Sequence, residues 1–201
     1  MDSYLDSLLT NHDELLNEME ELAEREKIPI IGRQVGSFLY QLAVMNKAKR
    51  IFELGSAFGY SAYWFAKAVG RQGEVNFTDL SKDNIALAKK FISKTGYQDI
   101  IKIHQADALS ILDGASGEFD IIFNDIEKED YPDVIEPVYN RLKKGGLFIT
   151  DNVLWHGRVI SDDNSAATNG VRKFTELILS HKGFYTTIIP LRDGLSVSLK
   201  L

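Results

Sequence analysis

From residue 50 to residue 150, short apolar runs alternate with segments of helical periodicity, and this alternation restricts the fold more than any other feature. The apolar runs predict strands at Arg50–Leu54, Glu74–Thr78, Ile101–Gln105, Phe119–Asn124 and Gly146–Thr150. The helical patterns between them lie at about 60–69, 82–95, 107–112 and 130–143. Strands that alternate with helices form βαβ units, so the sequence predicts a mostly parallel sheet with helices on both faces.

The N-terminal part of the chain has a helical pattern only. Residues 2–25 carry leucines at helical spacing with acids between them, which predicts one or two amphipathic helices, and a second helical pattern covers 33–46. Pro29 separates the two patterns. Residues 1–46 are therefore expected to form a helical cap.

The C-terminal segment has the pattern of a β-hairpin. Two strand-like runs, Phe184–Pro190 and Leu195–Leu201, are joined by a turn that contains Asp193-Gly194, a favoured hairpin dipeptide. The predicted fold class is α/β: a Rossmann-like, doubly wound, mostly parallel seven-stranded sheet with a C-terminal antiparallel hairpin and N-terminal helices. No linker composition interrupts the sequence, so a single domain over 1–201 is expected.

The composition narrows the classes of protein and of site. The chain has 201 residues and no cysteine, which excludes disulfides, thiolate zinc sites and cysteine nucleophiles and agrees with a cytoplasmic location. No apolar run has the length of a transmembrane helix, and the acid-rich N-terminus does not resemble a secretory signal, so no membrane association is expected. A formal net charge of −6 argues against broad affinity for nucleic acid, although Lys47, Lys49 and Arg50 could form a local basic patch.

A glycine-containing turn follows the first predicted strand. Gly55 and Gly59 lie between this strand and the next helix, where the absence of a Cβ permits close approach of a ligand or of another backbone segment. Ligands of open α/β sheets bind at the carboxyl ends of the strands, so this turn is a candidate cofactor site. Its spacing is G-x-x-x-G, not the G-x-G-x-x-G of dinucleotide-binding proteins, and glycines in such turns also occur as plain architecture.

Acidic residues lie at the ends of the first three predicted strands. Asp79, at the tip of the second strand, can accept hydrogen bonds from both ribose hydroxyls of a nucleoside. Glu53 lies near the end of the first strand and could meet a cation or an amino group, and Asp107 follows the third strand. The alternative is that these acids cap the next helices, which suits Asp107, whereas Ser81 is a better cap than Asp79.

Three oxygen-bearing side chains follow the fourth and fifth predicted strands. Asp125, Asp151 and Asn152 converge at one edge if those strands are neighbours, and carboxylates so close favour a cation between them. Oxygen ligands without His or Cys suit a hard ion such as Mg²⁺, Mn²⁺ or Ca²⁺, although Asp and Asn also commonly follow strands as turn formers. Lys128 is either a solvated loop residue or, beside a divalent cation, a general base.

In order and spacing, these motifs resemble those of the metal-dependent O-methyltransferases that use S-adenosylmethionine, the family of the caffeoyl-CoA and catechol methyltransferases. The matching segments are Glu53–Ser56, Gly59–Ser61, Asp79, Asp107-Ala108, Asn124–Tyr131, Asp151–Gly157 and Asp193–Leu195. Ile126 and Glu127 replace the family's commoner Ala and Asp, and Asn124 replaces an apolar or other residue before the metal acid. These departures bear on the shape of the acceptor more than on metal binding.

The resemblance implies the cofactors and the residues that bind them. S-adenosylmethionine would be bound by Glu53, Gly55, Ser56, Gly59, Tyr60, Ser61, Asp79, Leu80, Asp107, Ala108 and Asp125. A divalent ion, Mg²⁺ or else Mn²⁺ or Ca²⁺, would be bound by Asp125, Asp151 and Asn152. Lys128 would be the general base, acting with Asp125, in methyl transfer to a hydroxyl of a catechol-like small molecule. The resemblance also implies a homodimer.

Three alternatives to this function stay open. Some bacterial members of the family methylate hydroxyuridine in tRNA, which the acidic balance of this chain mildly disfavours. An NAD-dependent dehydrogenase would share the α/β sheet, but the G-x-G-x-x-G turn is missing. A non-catalytic relative would not need the oxygen cluster or Lys128, both of which this chain retains.

Overall fold

A mixed sheet forms the centre of the computed structural model, which describes residues 2–9 and 13–201. Its strands in the described residues are β1 Arg50–Leu54, β2 Glu74–Thr78, β3 Ile101–His104, β4 Phe119–Asn124, β5 Leu142–Thr150, β6 Phe184–Ile189 and β7 Leu195–Lys200. They have the order β3-β2-β1-β4-β5-β7-β6. Strands β1 to β5 are parallel, and β7 is antiparallel to both of its neighbours. The predicted seven-stranded sheet with a C-terminal antiparallel hairpin is confirmed.

Helices connect the strands and cover the sheet. The α-helices are α1 Asp2–Leu8, α2 Glu14–Glu26, α3 Gly32–Met45, α4 Tyr60–Val69, α5 Lys82–Thr95, α6 Ala108–Gly114, α7 Ile135–Arg141 and α8 Ala166–Ser180, and 3-10 segments lie at Lys128–Val134 and Trp155–Ile160. Side chains of Asp13, Ser81, Asp107 and Ser165 accept backbone N–H groups at helix starts. Part of the predicted N-terminal helical region, 10–12, lies outside the described residues.

Alternating side chains give the sheet two apolar faces. In β4, Ile121 and Phe123 belong to a core shared with α2 to α5. Ile122 lies between them and belongs to the opposite core, where Val138 of α7 and Phe174 of α8 pack. Successive side chains of a strand point to opposite faces, so both faces need a helical layer. The doubly wound arrangement places the carboxyl ends of β1 to β5 at one edge, where the connecting loops meet.

The helix predicted over 130–143 is wrong at both ends. Pro132 lies in the 3-10 segment, and α7 begins only at Ile135. Residue 142 already belongs to β5, where Leu142 pairs with Phe119, so the predicted start of this strand at Gly146 was four residues late. The polar sequence of Lys143 and Lys144 does not indicate a strand, and pairing with β4 decides the conformation here.

The predicted N-terminal cap consists of α1, α2 and α3. Leu16 and Met19 of α2 and Leu39 of α3 are buried in the core that also contains Ile51 of β1. Helices α2 and α3 therefore pack on the same apolar layer as α4 and α5. Among the described residues, no helix combines the length and apolar character needed to cross a membrane.

Candidate active site

A cleft of about 1700 Å³ opens at the carboxyl ends of the strands, between the connecting loops and the N-terminal helices. Most of the residues predicted from the sequence line it. These are Gly55, Ser56, Tyr60, Ser61, Asp79, Leu80, Asp107, Ala108, Asp125, Lys128, Asp151 and Asn152. Glu53 and Gly59 are not among the lining residues: Glu53 is fully buried, and Gly59 lies in the turn directly before α4.

The turn after β1 is shaped by its glycines. Gly55 has a φ of 74°, and a Cβ at this position would lie 2.8 Å from the backbone oxygen of Asp125. Gly59, immediately before α4, has a φ of 86°. Both conformations favour glycine, and the first also lets the loops after β1 and β4 approach each other closely. The glycines thus bring the donor side of the cleft, as implied by the resemblance, against the oxygen cluster.

Glu53 is a fully buried carboxyl beneath this turn. Its Oε1 accepts a hydrogen bond from the Ser61 hydroxyl, whereas its Oε2 has no hydrogen-bond partner in the described residues. Burial raises the pKa of Glu53 to about 8. A buried carboxyl with an unused oxygen is suited to pair with a cationic group, which would stabilise its charged form.

Asp79 and Asp107 differ in the hydrogen bonds that their carboxylate oxygens already accept from the protein. The Oδ1 of Asp79 accepts hydrogen bonds from the Ser81 backbone N–H at 2.8 Å and the Asn84 amide at 3.1 Å. Its Oδ2 accepts none from the described residues and is available to a ligand. Asp107 caps α6, and hydrogen bonds from Ser110 hold the pKa of its carboxyl below the usual range. The helix-cap interpretation is therefore correct for Asp107, and Ser81 caps α5 as predicted.

The oxygen cluster forms because β4 and β5 are neighbours. Asn124 pairs with Thr150, so the next residues, Asp125 and Asp151, emerge side by side, and the Asp151 N–H donates to the Asn124 oxygen at 3.1 Å. The Asn152 N–H donates to Asp151 Oδ1 at 2.8 Å, and Asn152 has a φ of 58°. The structure thus brings the predicted trio to one rim.

The electrostatics of this rim favour a cation. Burial, reinforced by the charge of Asp125, raises the pKa of Asp151 to about 7, and this residue is only 4% exposed. Burial likewise raises the pKa of Asp125, while the Lys128 ammonium opposes that shift. No group of three or more His, Cys, Asp or Glu residues in the described part of the chain is arranged to hold a metal ion. A metal site here therefore needs the side-chain oxygen of Asn152 as its third protein ligand.

Lys128 is fixed beside the cluster. Its Nζ donates to Asp125 Oδ1 at 2.8 Å and to the Ile126 backbone oxygen at 3.2 Å. The same Nζ lies 5.1 Å from the ring centroid of Tyr131, whose hydroxyl donates to the Asp151 backbone oxygen at 2.9 Å. Its side chain is mostly buried rather than solvated, which contradicts the loop-lysine interpretation.

Two further sets of residues complete the cleft, and the sequence did not identify their roles. Arg192, at the tip of the β6–β7 hairpin, donates to the backbone oxygens of Ile30 and Ile31. The next residue, Asp193, accepts the His156 N–H through its side chain and the Leu154 N–H through its backbone oxygen. The hairpin thus braces both the cap and the loop that follows β5.

The second set joins the cap to the turn after β1. The Tyr60 hydroxyl donates to Glu20 at 2.5 Å, and Arg33 donates to the same carboxylate at 2.5 Å. Burial raises the pKa of the Tyr60 hydroxyl, so this group remains a donor. One signal was present in the sequence, since Glu20 lies four residues after Leu16 and three before Ala23, on the apolar face of α2.

The chain is similar to known methyltransferases over almost its whole length. The model of the O-methyltransferase family matches residues 6–201. A catechol O-methyltransferase of Niastella koreensis is 30% identical, covering 99% of this chain and 96% of the relative. Caffeoyl-CoA O-methyltransferase 1 of Eucalyptus globulus is 27% identical, covering 97% and 85%. The solved structure of the O-methyltransferase TomG from Streptomyces achromogenes in complex with SAM has a TM-score of 0.91 at 27% identity, covering 99% and 95%.

Proposed function

The chain belongs to the S-adenosylmethionine-dependent O-methyltransferases, and on this premise we propose that it methylates a hydroxyl of a catechol-like small molecule with the help of a divalent metal ion. One observation carries the proposal: Asp125, Lys128 and Asp151 line the same cleft as the turn after β1. The reacting hydroxyl and the methyl donor can therefore be held next to each other, which is the main requirement of a direct methyl displacement.

The donor is proposed to lie across the ends of β1 and β2. Glu53 does not line the cleft, so its proposed role is indirect: it accepts the hydroxyl of Ser61, which lines the cleft and would face the amino end of the donor. The free Oδ2 of Asp79 supports hydrogen bonds from the ribose hydroxyls, and Leu80, which is 74% exposed, offers an apolar contact to the adenine. Ala108, the residue after the cap of α6, also lines the cleft and is proposed to contact the adenine.

The metal is proposed to be held by Asp125, Asp151 and Asn152, with Mg²⁺ as the ion and Mn²⁺ or Ca²⁺ as alternatives. The carboxylates of Asp125 and Asp151, both with raised pKa values, and the amide oxygen of Asn152 suit a hard cation. When bound, the ion would lower the pKa of the acceptor hydroxyl by stabilising its anion. Beside a bound cation the Lys128 amine would be favoured in its neutral form, and its Nζ would then take the hydroxyl proton. The acceptor oxygen would attack the methyl carbon, and the carbon–sulfur bond would break to release S-adenosylhomocysteine.

A methyl-transfer assay tests this proposal. Purified protein with S-adenosylmethionine and Mg²⁺ is expected to monomethylate catechol but not phenol, because a vicinal diol offers two oxygens to the cation. Mass spectrometry of the products reports the reaction. Methylation of undermodified tRNA with no turnover of any diol would instead favour the nucleic-acid alternative.

Asp79→Ala is expected to weaken the binding of S-adenosylmethionine by about 1–3 kcal/mol, the cost of leaving hydrogen bonds to a charged group unmade. Isothermal titration calorimetry measures the affinity. Asp83→Ala is the matched control, because Asp83 is an acid of the same α5 start that does not line the cleft. Equal affinity in a folded Asp79→Ala variant would contradict the assignment.

A homodimer is the proposed assembly. Its support is a set of exposed apolar side chains on the N-terminal helices, namely Tyr4 and Leu8 of α1 and Val44 and Met45 of α3. Light scattering at micromolar concentration is expected to give twice the chain mass of 22.6 kDa. A mass of one chain would contradict this proposal.

A further inference from the structure

The cleft has a large excess of negative charge. Of the described residues that line it, eleven carry a carboxylate, whereas three carry a cationic side chain. The formal charge of the whole chain is only −6, so carboxylates are concentrated in this cleft. A divalent ion and a singly positive methyl donor would reduce the excess without removing it.

Two of the three cationic side chains of the cleft are paired with acids. Lys128 donates to Asp125 at 2.8 Å. Arg33 donates to Glu20 at 2.5 Å. The guanidinium of Arg192 donates to backbone carbonyls of the linker between α2 and α3. Arg192 is therefore the one arginine or lysine among the described lining residues that has no acidic partner, against eleven lining carboxylates.

Several of the lining acids, in contrast, have no cationic partner. Glu24 lies on α2, and Glu127, Asp130 and Asp133 lie on the segment after β4, so they come from two different walls of the cleft. Within the described ranges, no lysine, arginine or histidine forms an ion pair with any of the four. Their charges are available to a bound molecule.

Asp193 is a second, independent observation at the same cleft. Its side chain is only 12% exposed, and its Oδ2 is a buried atom that accepts no hydrogen bond from the described residues. The His156 Nε2 lies 3.6 Å away, beyond hydrogen-bond distance. A buried acceptor without a donor is costly, so this carboxylate adds unsatisfied negative charge to the wall of the cleft.

We infer that these acids determine the acceptor: they select a diol that carries a positively charged amino group and reject diols that carry carboxylate or phosphate groups. The inference rests on the proposed methyl transfer to a diol. A cleft lined by one sign of charge concentrates ligands of the opposite sign, and like charges brought together oppose binding. A coenzyme A thioester and a nucleic acid would both bring phosphates into this negatively charged cleft.

Three acceptors with the same catechol ring test the inference. They are dopamine, which is cationic, 3,4-dihydroxybenzyl alcohol, which is neutral, and 3,4-dihydroxybenzoate, which is anionic. At low ionic strength, kcat/KM is expected to fall in that order, by about tenfold or more between the amine and the carboxylate. The ratio of kcat/KM between the amine and the carboxylate should decrease in about 1 M salt, where charges are screened within about 3 Å. A carboxylate acceptor as good as the amine at low salt would overturn the inference.

Two matched double variants test which acids cause the preference for a cationic diol. Glu24→Gln with Asp133→Asn removes one charge from each wall of the cleft, away from the metal rim. Asp99→Asn with Glu118→Gln removes two exposed charges that precede β3 and β4, at the opposite edge of the sheet. The ratio of kcat/KM for dopamine to kcat/KM for 3,4-dihydroxybenzoate should decrease only in the Glu24→Gln, Asp133→Asn variant. An equal ratio in the two double variants would overturn the assignment to these acids.

Binding without turnover separates this inference from the proposed function. Calorimetry of the three diols with the protein, S-adenosylhomocysteine and Mg²⁺ reports the charge order directly. If the diols bind in the expected order and none is methylated, the proposed reaction fails and the charge selection stands. If all are methylated without regard to charge, the proposed reaction stands and the charge selection fails.

Discussion

Asp151→Asn is expected to abolish methyl transfer and to leave the affinity for S-adenosylmethionine unchanged. The amide keeps the size of the side chain but removes a charge that the proposed metal ion requires. The residues proposed for the donor site, Glu53 and Asp79, lie near the ends of β1 and β2, separate from the end of β5. Turnover and calorimetric titration with the donor, measured on the same preparation, check both halves of the expectation. Asp99→Asn is the control for the loss of one acidic charge.

The wild-type protein gives the complementary result. Activity should vanish with EDTA and return with Mg²⁺ or Mn²⁺, and full activity in EDTA would remove the metal proposal.

Metal binding should also change the pH dependence of protein stability, which can be measured without turnover. The folded-state pKa of Asp151 is about 7, against 3.8 for the unperturbed group, so the metal-free fold retains a proton that the unfolded chain releases. Its stability therefore falls as the pH rises between these two values.

A divalent ion should reverse this loss of stability. Mg²⁺ is expected to raise the melting temperature more at pH 8 than at pH 5, since the carboxylate must be deprotonated to bind the ion. Asp151→Asn should remove most of this pH-dependent rise. A melting temperature that responds to Mg²⁺ equally in the wild type and in the variant would contradict Asp151 as a ligand.

Lys128→Ala is the second change with a large expected effect. If Lys128 is the general base, its loss should lower kcat by about a hundredfold or more, with the metal and the donor still bound. The deficit should be smaller at high pH, where hydroxide can replace the base. Rapid-quench kinetics across the pH range measure the chemical step. A full rate at neutral pH would remove the catalytic role of Lys128.

Lys128→Arg separates the base from the charge. The guanidinium can keep an ion pair with Asp125 but cannot lose its proton at ordinary pH. The arginine variant is therefore expected to retain the stability of the wild type and to remain as slow as the alanine variant. Recovery of the rate by arginine would mean that Lys128 acts through its charge alone.

Local signals predicted the parts of the site that depend on neighbouring residues. The strand and turn around Gly55, the cap at Asp107 and the neighbouring ends of β4 and β5 all follow from short-range patterns and the rules of parallel sheets. The predicted C-terminal end of the helix over 130–143 was wrong because Leu142 joins β5 by pairing with Phe119, a contact that local propensity does not encode.

Contacts between distant segments could not be predicted in the same way. Tyr60 and Glu20 are 40 residues apart, and their hydrogen bond depends on how α2 lies over α4. The contact of Arg192 with the linker between α2 and α3 also depends on the packing of the cap. The charge excess of the cleft likewise becomes visible only when its walls are assembled, because acids such as Glu24 and Asp133 look like ordinary surface residues in the sequence.

The brace formed by the hairpin tip has a consequence for the order in which the enzyme matures during translation. Arg192 contacts Ile31 across 161 residues of sequence, and β5 acquires its second neighbour only when β7 is present. The turn after β1 and its β2 and β4 neighbours can assemble well before that point. A ribosome-bound chain is therefore expected to form the proposed donor side at the ends of β1 and β2 first. The contacts of the hairpin with the cap and with the loop after β5 follow only after residues 184–200 have emerged. Until then β5 is an unprotected edge strand, which makes this interval the one in which the nascent chain is most open to wrong pairing.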